Sequence, residues 1–196
     1  MSQPSPSQQK SSWSRIARRI RVPLGFVFAA VFLWLARPTL PFLAWSLLLV
    51  VPGVALRAYA SGYVKKNSEL TTTGPYAYTR NPLYLGSLLI ALGFAVAARN
   101  VWILLGIAIL FFAIYLPVIR AEETFLRGVF PGFDEYCARV PRLFPRIVSQ
   151  KGTSTREAAG EGGFSSRLYR KHREYNALMG AAALYAALLL RLYLHR

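Results

Sequence analysis

Cysteine, histidine and acid are what this 196-residue chain has least of. Cys137 is its one cysteine, which excludes an intrachain disulfide and a cysteine-based metal cluster. The two histidines, His172 and His195, stand well apart near the end of the chain and offer no ligand set for zinc or haem. Eight acidic residues face 24 lysines and arginines, a formal net charge of +16. Yet 54% of the residues are hydrophobic, a pairing that soluble domains rarely show. Charge is missing altogether from five apolar runs: Val22–Ala36, Pro38–Leu56, Asn81–Ala98, Asn100–Ile119 and Tyr175–Leu190. The middle three approach the roughly 20 residues needed to cross a bilayer core. The first and last are shorter and require snorkelling ends or local thinning. The expectation is an all-α, polytopic membrane helical bundle with four to five transmembrane helices.

Where the positive charge falls predicts the orientation. Lys10, Arg15, Arg18, Arg19 and Arg21 precede the first run, Lys65, Lys66 and Arg80 precede the third, and a further set runs from Arg120 to Arg173. The two intervening turns hold only Arg37 and Arg99. Alternate loops are therefore basic, as a cytoplasmic N-terminus requires. All the acidic residues fall on the same inner side. The charge is thus accounted for by topology and by attraction to anionic lipid, and nucleic acid is not an expected partner.

In chain order, residues 1–21 read as a disordered Ser/Gln/Pro-rich tail followed by a basic surface helix. That start resembles a signal peptide, but no A-x-A cleavage pattern follows, so retention is expected. Residues 22–146 form the membrane core, 147–173 a basic linker, and 174–196 a C-terminal transmembrane or interfacial helix. Pro52-Gly53 is expected to bend the second helix. Arg57, Tyr59, Tyr63, Lys65 and Lys66 then emerge at the inner face as a snorkelling and aromatic belt, with Arg57 also a candidate to reach a substrate.

The chain is organised around Gly74-Pro75-Tyr76-Ala77-Tyr78-Thr79-Arg80-Asn81-Pro82-Leu83-Tyr84-Leu85-Gly86. Pro82 disfavours helix at Asn81 and suits the first turn of a helix starting there. This places polar groups at a helix N-terminus, where backbone N–H groups and the dipole favour a carboxylate or phosphate. The third and fourth runs are joined by Ala97-Ala98-Arg99-Asn100, too short for anything but an antiparallel helical hairpin. Both open ends of the hairpin then lie on one side of the membrane. Arg80-Asn81-Pro82 should therefore neighbour the adjacent acidic pair Glu122-Glu123. Gly86, Ser87, Gly93, Gly106 and Ala108 are small enough for close helix packing, and Pro117 can re-aim the end of the fourth helix. Such a hairpin mouth suits a ligand carrying a carboxylate together with an ammonium or ribose hydroxyls. Residues 120–146 read as a cytoplasmic helix and a proline-punctuated return that caps the site.

These residues carry a family resemblance. Gly74-Pro75-Tyr76 with Arg80-Asn81-Pro82-Leu83-Tyr84-Leu85-Gly86 resembles the R-H-P-x-Y-x-G signature of the isoprenylcysteine carboxyl methyltransferase and phospholipid N-methyltransferase group. Glu122-Glu123, Phe130, Tyr136 and Val140-Pro141-Arg142-Leu143-Phe144-Pro145 resemble the second half of that pattern, so the likeness covers roughly residues 53–146. It implies an integral-membrane methyltransferase that uses S-adenosylmethionine without a Rossmann domain, acting on a lipophilic acceptor such as an isoprenylcysteine-like carboxylate. It also implies that Arg80, Asn81, Pro82, Tyr84 and Gly86 contact the cofactor's methionine or adenosine part and Glu122 and Glu123 its amine or ribose, with Tyr76, Tyr78 and Tyr136 lining the pocket. It names no catalytic base. Asn81 departs from the family's histidine; asparagine keeps the hydrogen bonds and loses the titration. Membrane sterol reductases that use NADPH share an R-H-P-N-Y-x-G motif, but Ser87 stands where they carry an acid, and their later cysteine pattern is missing. A non-enzymatic membrane adaptor is the other alternative.

Overall fold

A computed structural model describes residues 27–64, 69–146 and 163–194. The N-terminal tail and surface helix, the first residues of the first apolar run, Lys65, Lys66, residues 147–162 of the linker and His195 lie outside the described residues. Among the described residues every regular element is helical. Helix α1 covers 27–35, α2 Leu40–Ser61 and α3 Pro82–Ala98. A continuous rod follows, made of α4 (Val101–Leu110), a π-helical turn (Phe111–Tyr115) and α5 (Leu116–Val129). Short α6 (Phe133–Arg139) and α7 (Ser166–Lys171) precede α8 (Tyr175–Leu194). Leu40–Ser61, Val101–Val129 and Tyr175–Leu194 are long and apolar enough to cross a membrane, and Pro82–Ala98 is a shorter apolar helix beside them. At 1.5 Å per residue α3 still rises about 26 Å, close to a bilayer's hydrocarbon thickness.

The order of the helices follows from their end contacts. The Arg37 amide donates to the Ala98 carbonyl at 2.8 Å, and Asn100 Nδ2 to the Leu35 carbonyl at 3.0 Å. Arg191 donates to the carbonyls of Ala36 and Trp34, each at 2.8 Å. The end of α1, start of α2, end of α3, start of α4 and end of α8 therefore share one end of the bundle. The end of α2, the start of α3, α5 and the start of α8 share the other. The last helix runs the height of the bundle; Leu188 is fully buried, and Tyr185 meets Ser46 of α2 at 2.6 Å. Phe32, Leu43, Val50, Phe94, Ile103 and Ile107 form the core it joins.

Two of the expected small residues explain the closeness of α2 and α3. A Cβ on Gly53 would lie 2.8 Å from the Gly86 carbonyl oxygen, and one on Gly93 would lie 3.0 Å from that of Ser46. Such backbone approach is how small residues replace hydrophobic drive in a membrane. Gly106 and Ala108 do not share this role: the first has nothing within 4 Å of where its Cβ would be, and the second is exposed. α2 runs through Pro52 as one helix, and Gly53 beside it serves the α3 contact. Pro117 is also absorbed without a break. It cannot donate to the preceding turn, and the π turn just before it widens the helix, with the Leu116 amide reaching back to the Phe111 carbonyl.

Candidate functional site at the hairpin mouth

Gly74 adopts φ +59, a left-handed turn that a side chain would strain, and starts a 3₁₀ turn over Gly74–Ala77. The turn buries Pro75 and Tyr76 and delivers an irregular segment, 78–81, to the start of α3. Pro82 occupies the first helical turn with Asn81 non-helical before it, as the sequence predicts. The Asn81 side chain does not cap α3. Its Nδ2 donates instead to the Arg142 carbonyl at 2.9 Å.

That bond belongs to a polar seam joining 78–81 to the proline-punctuated return. The Arg80 amide donates to the Pro141 carbonyl at 2.9 Å, the Arg146 amide to the Tyr78 carbonyl at 3.2 Å, and Thr79 Oγ1 to the Leu143 carbonyl at 2.9 Å. Beneath the seam Phe133, Tyr136 and Val140 form a small core of their own with Leu126. The Tyr136 hydroxyl donates to the Tyr76 carbonyl at 2.7 Å. Burial pushes both phenols well above the ordinary tyrosine value; the charges of Glu122 and Glu174 add to this at Tyr76, and the neighbouring Tyr76 phenol adds to it at Tyr136.

The two glutamates do different things. Glu123 is buried, and its Oε2 accepts from Arg142 Nε at 3.0 Å and from the Arg142 terminal nitrogen at 2.8 Å. Its Oε1 lies 3.4 Å from the Arg80 guanidinium. The Arg142–Glu123 hydrogen bonds raise the Arg142 pKa above its ordinary value. One carboxylate therefore ties the signature segment to the cap. Glu122 is exposed, one residue round the helix, and its Oε2 accepts from the Tyr84 hydroxyl at 2.9 Å. Tyr84 in turn stands edge-on to Tyr115 of the π turn, with ring centroids 5.9 Å apart.

The structure thus brings together Tyr76, Arg80, Asn81, Glu123 and Tyr136 in the clamp, with Tyr84 and Glu122 beside it. Pro82 is buried at the base of α3. Gly86 faces α2, where a Cβ would meet Arg57 Cγ at 2.7 Å, so its lack of a side chain serves packing. The Tyr78 ring is 40% exposed and stays outside the cluster, which uses only its carbonyl. Arg57 reaches the first turn of α3 and is held there by Glu174, Ser87 and the Leu83 carbonyl. Three participants are absent from the sequence-based candidates: Arg142, Thr79 and Glu174. Arg142 sits inside a quoted motif; no spacing in the sequence marks the other two.

Arg80 Nε and Glu123 Oε1 are buried with no hydrogen-bond partner among the described residues. A buried donor and acceptor left so are costly unless a ligand or water completes them. A zwitterionic ligand supplies both complements.

A family model described as phospholipid methyltransferase matches residues 52–132, from the end of α2 through α5. The cobalt-zinc-cadmium resistance protein CzcN of Cupriavidus metallidurans is 41% identical over 97 residues, which cover 50% of this chain and 44% of that protein. The nickel-cobalt-cadmium resistance protein NccN of Alcaligenes xylosoxydans xylosoxydans is 37% identical over 97 residues, 50% of this chain and 45% of its own length. The match spans less than half of either relative. No solved structure matches.

Proposed function

We propose, on the premise of the match between residues 52–132 and the phospholipid methyltransferase family model, that the chain transfers a methyl group from S-adenosylmethionine to a lipophilic acceptor held in the membrane. The observation that carries the reading is the meeting of the two half-motifs, Arg80–Glu123 and Tyr84–Glu122, at one end of an apolar bundle. Arg80 and the first turn of α3 bind the carboxylate of the cofactor's amino-acid part. Glu122 accepts from its ribose hydroxyls or amine, and Tyr84 fixes the carboxylate of Glu122 for that purpose. Glu123 holds Arg80 and the cap in register. Tyr76 and Tyr136 wall off the site while remaining neutral.

A sulfonium donor supplies an already activated methyl group when bound. The protein's contribution is then to align an acceptor in line and to exclude water. An Asn81 that cannot titrate is compatible with this work, because it holds the Arg142 carbonyl and moves no proton. In this reading the N-terminus and the site face the cytoplasm. The acceptor is a lipid or lipidated molecule, of which an isoprenylcysteine-like carboxylate is one example. The relatives' names speak of metal resistance; a part in it would be played through a methylated membrane component.

The test is transfer of a labelled methyl from S-adenosylmethionine to membrane lipids by the purified protein in nanodiscs. Label should enter the organic phase, and Glu122→Gln should lower the rate about tenfold, the worth of one hydrogen bond to a charged group. Equal labelling by the wild type and by a variant with both Arg80 and Glu122 neutralised would defeat the assignment.

A further inference from the structure

Arg57 lies outside the clamp, yet its guanidinium is placed with the same care. Its Nη1 donates to the Leu83 carbonyl at 3.4 Å and to the Ser87 hydroxyl, both on the first turns of α3. Its Cγ stem lies over Gly86. The side chain is therefore fixed by α2 and α3 alone. The remaining edge, Nε and Nη2, takes the Glu174 carboxylate in a fork, with contacts of 2.8 to 3.1 Å. Glu174 comes from the joint between α7 and α8, next to Arg173 in a left-handed turn. Among the described residues its carboxylate is held by Arg57 and by nothing else. Both side chains keep some exposure, 24% for Arg57 and 12% for Glu174. Leu83 and Ser87 flank Tyr84 at the start of α3, so the Arg57–Glu174 pair borders the hairpin mouth.

A cation built into the core, with a replaceable carboxylate from a distant segment, is the arrangement of an anion site closed by an internal ligand. We infer that Arg57, backed by Ser87 and Leu83, is the subsite for the anionic group of the lipophilic acceptor, a carboxylate or a phosphodiester, and that Glu174 occupies it until the acceptor arrives. The planar fork suits either group, which would take the same two N–H donors. The exchange swaps one anion for another, so Arg57 is never left uncompensated. The assignment deepens the methyl-transfer reading by naming the acceptor's charge, and rests on that reading only for the word acceptor.

The experiment uses the full chain in dodecyl maltoside micelles, which carry no anionic group to compete, titrated with a fluorescent long-chain fatty acid and with its methyl ester. Glu174→Gln should bind the acid about tenfold more tightly than the wild type, with the ester unchanged. Adding Arg57→Gln should erase the difference between acid and ester. Glu174→Asp, which keeps the charge but shortens the reach, should lie between and serves if Glu174→Gln does not fold. A merely structural pair predicts the opposite sign, acid affinity unchanged or lowered in both variants, and that result overturns the inference. Butyrate competing as well as the fatty acid would show an anion pocket without lipid recognition and would also overturn it. Parallel titration with S-adenosylhomocysteine separates the two claims. Acid binding released by Glu174→Gln with no cofactor binding would keep the subsite and remove the methyltransferase reading.

Discussion

Glu123 holds two arginines on one buried carboxylate, and the two are not equivalent. The Arg142 side chain is 42% exposed and can turn into water if its partner is lost, whereas Arg80, at 11%, cannot. Glu123→Gln should therefore destabilise the cap mainly through Arg80, by about 3 kcal/mol, the low end for stranding a buried charge. Tryptic cleavage after Arg142 and Arg146 in nanodiscs would report it as faster release of the cap. Alkali should act on the same element. Tyr76 and Tyr136 have folded pKa values raised above the unfolded value near 10, so the stability they contribute is complete below about pH 10 and is lost as the pH rises through their folded values. Absorbance titration at alkaline pH should show Tyr76 and Tyr136 among the late-ionising tyrosines, with release of the cap accompanying their ionisation. Ionisation of all tyrosines together near the ordinary value, with the cap still closed, would contradict the burial. At this scale the sequence speaks clearly where topology helps. The meeting of Arg80 with Glu123 follows from a short hairpin alone. Gly86 is legible as a packing residue, but that Asn81 serves the return is not, because an amide looks the same in either role.

The elements differ in how much of themselves they show. α2 and α3 are visible as charge-free runs of near-spanning length and α8 as a shorter one, and the α3 start is fixed by Asn81-Pro82. The π turn is hidden, since 101–119 is apolar on every face and no period marks a change of pitch. The partner of α3 is hidden too: small residues on the third and fourth runs are equally suited to contact, but only Gly86 and Gly93 are used, and against α2. Gly53→Ala puts a methyl against backbone that cannot turn away, and should cost about 1–3 kcal/mol. Gly106→Ala meets open space and should stabilise by up to about 1 kcal/mol through helix propensity. Thermal unfolding in nanodiscs should give shifts of opposite sign. Shifts of the same sign would place the α2–α3 contact elsewhere.

Across the whole molecule, charge and end contacts agree on a single polarity. Arg37, Arg99 and Arg191 gather at one end, where Arg191 caps carbonyls of α1 and Arg99 lies over the Phe42 ring at 4.6 Å. Arg57, Arg80, Glu122, Glu123 and the cap gather at the other. With Cys137 replaced, a cysteine at Asn100 should react with an impermeant maleimide on intact cells, and one at Phe164 only after permeabilisation. Charge asymmetry makes this polarity legible in the sequence; the docking of 163–172 onto the end of α2, through the Ser165 amide on the Gly62 carbonyl at 2.9 Å, is not, because Gly- and Ser-rich composition is what a loose linker also has.

The central claim is that the hairpin mouth binds an S-adenosyl group, and calorimetric titration of the nanodisc-embedded protein tests it most directly. S-adenosylhomocysteine should bind saturably and NADPH should not. Glu122→Gln should weaken the binding about tenfold. Binding of NADPH alone, or S-adenosylhomocysteine affinity indifferent to both Glu122 and Arg80, would contradict the account.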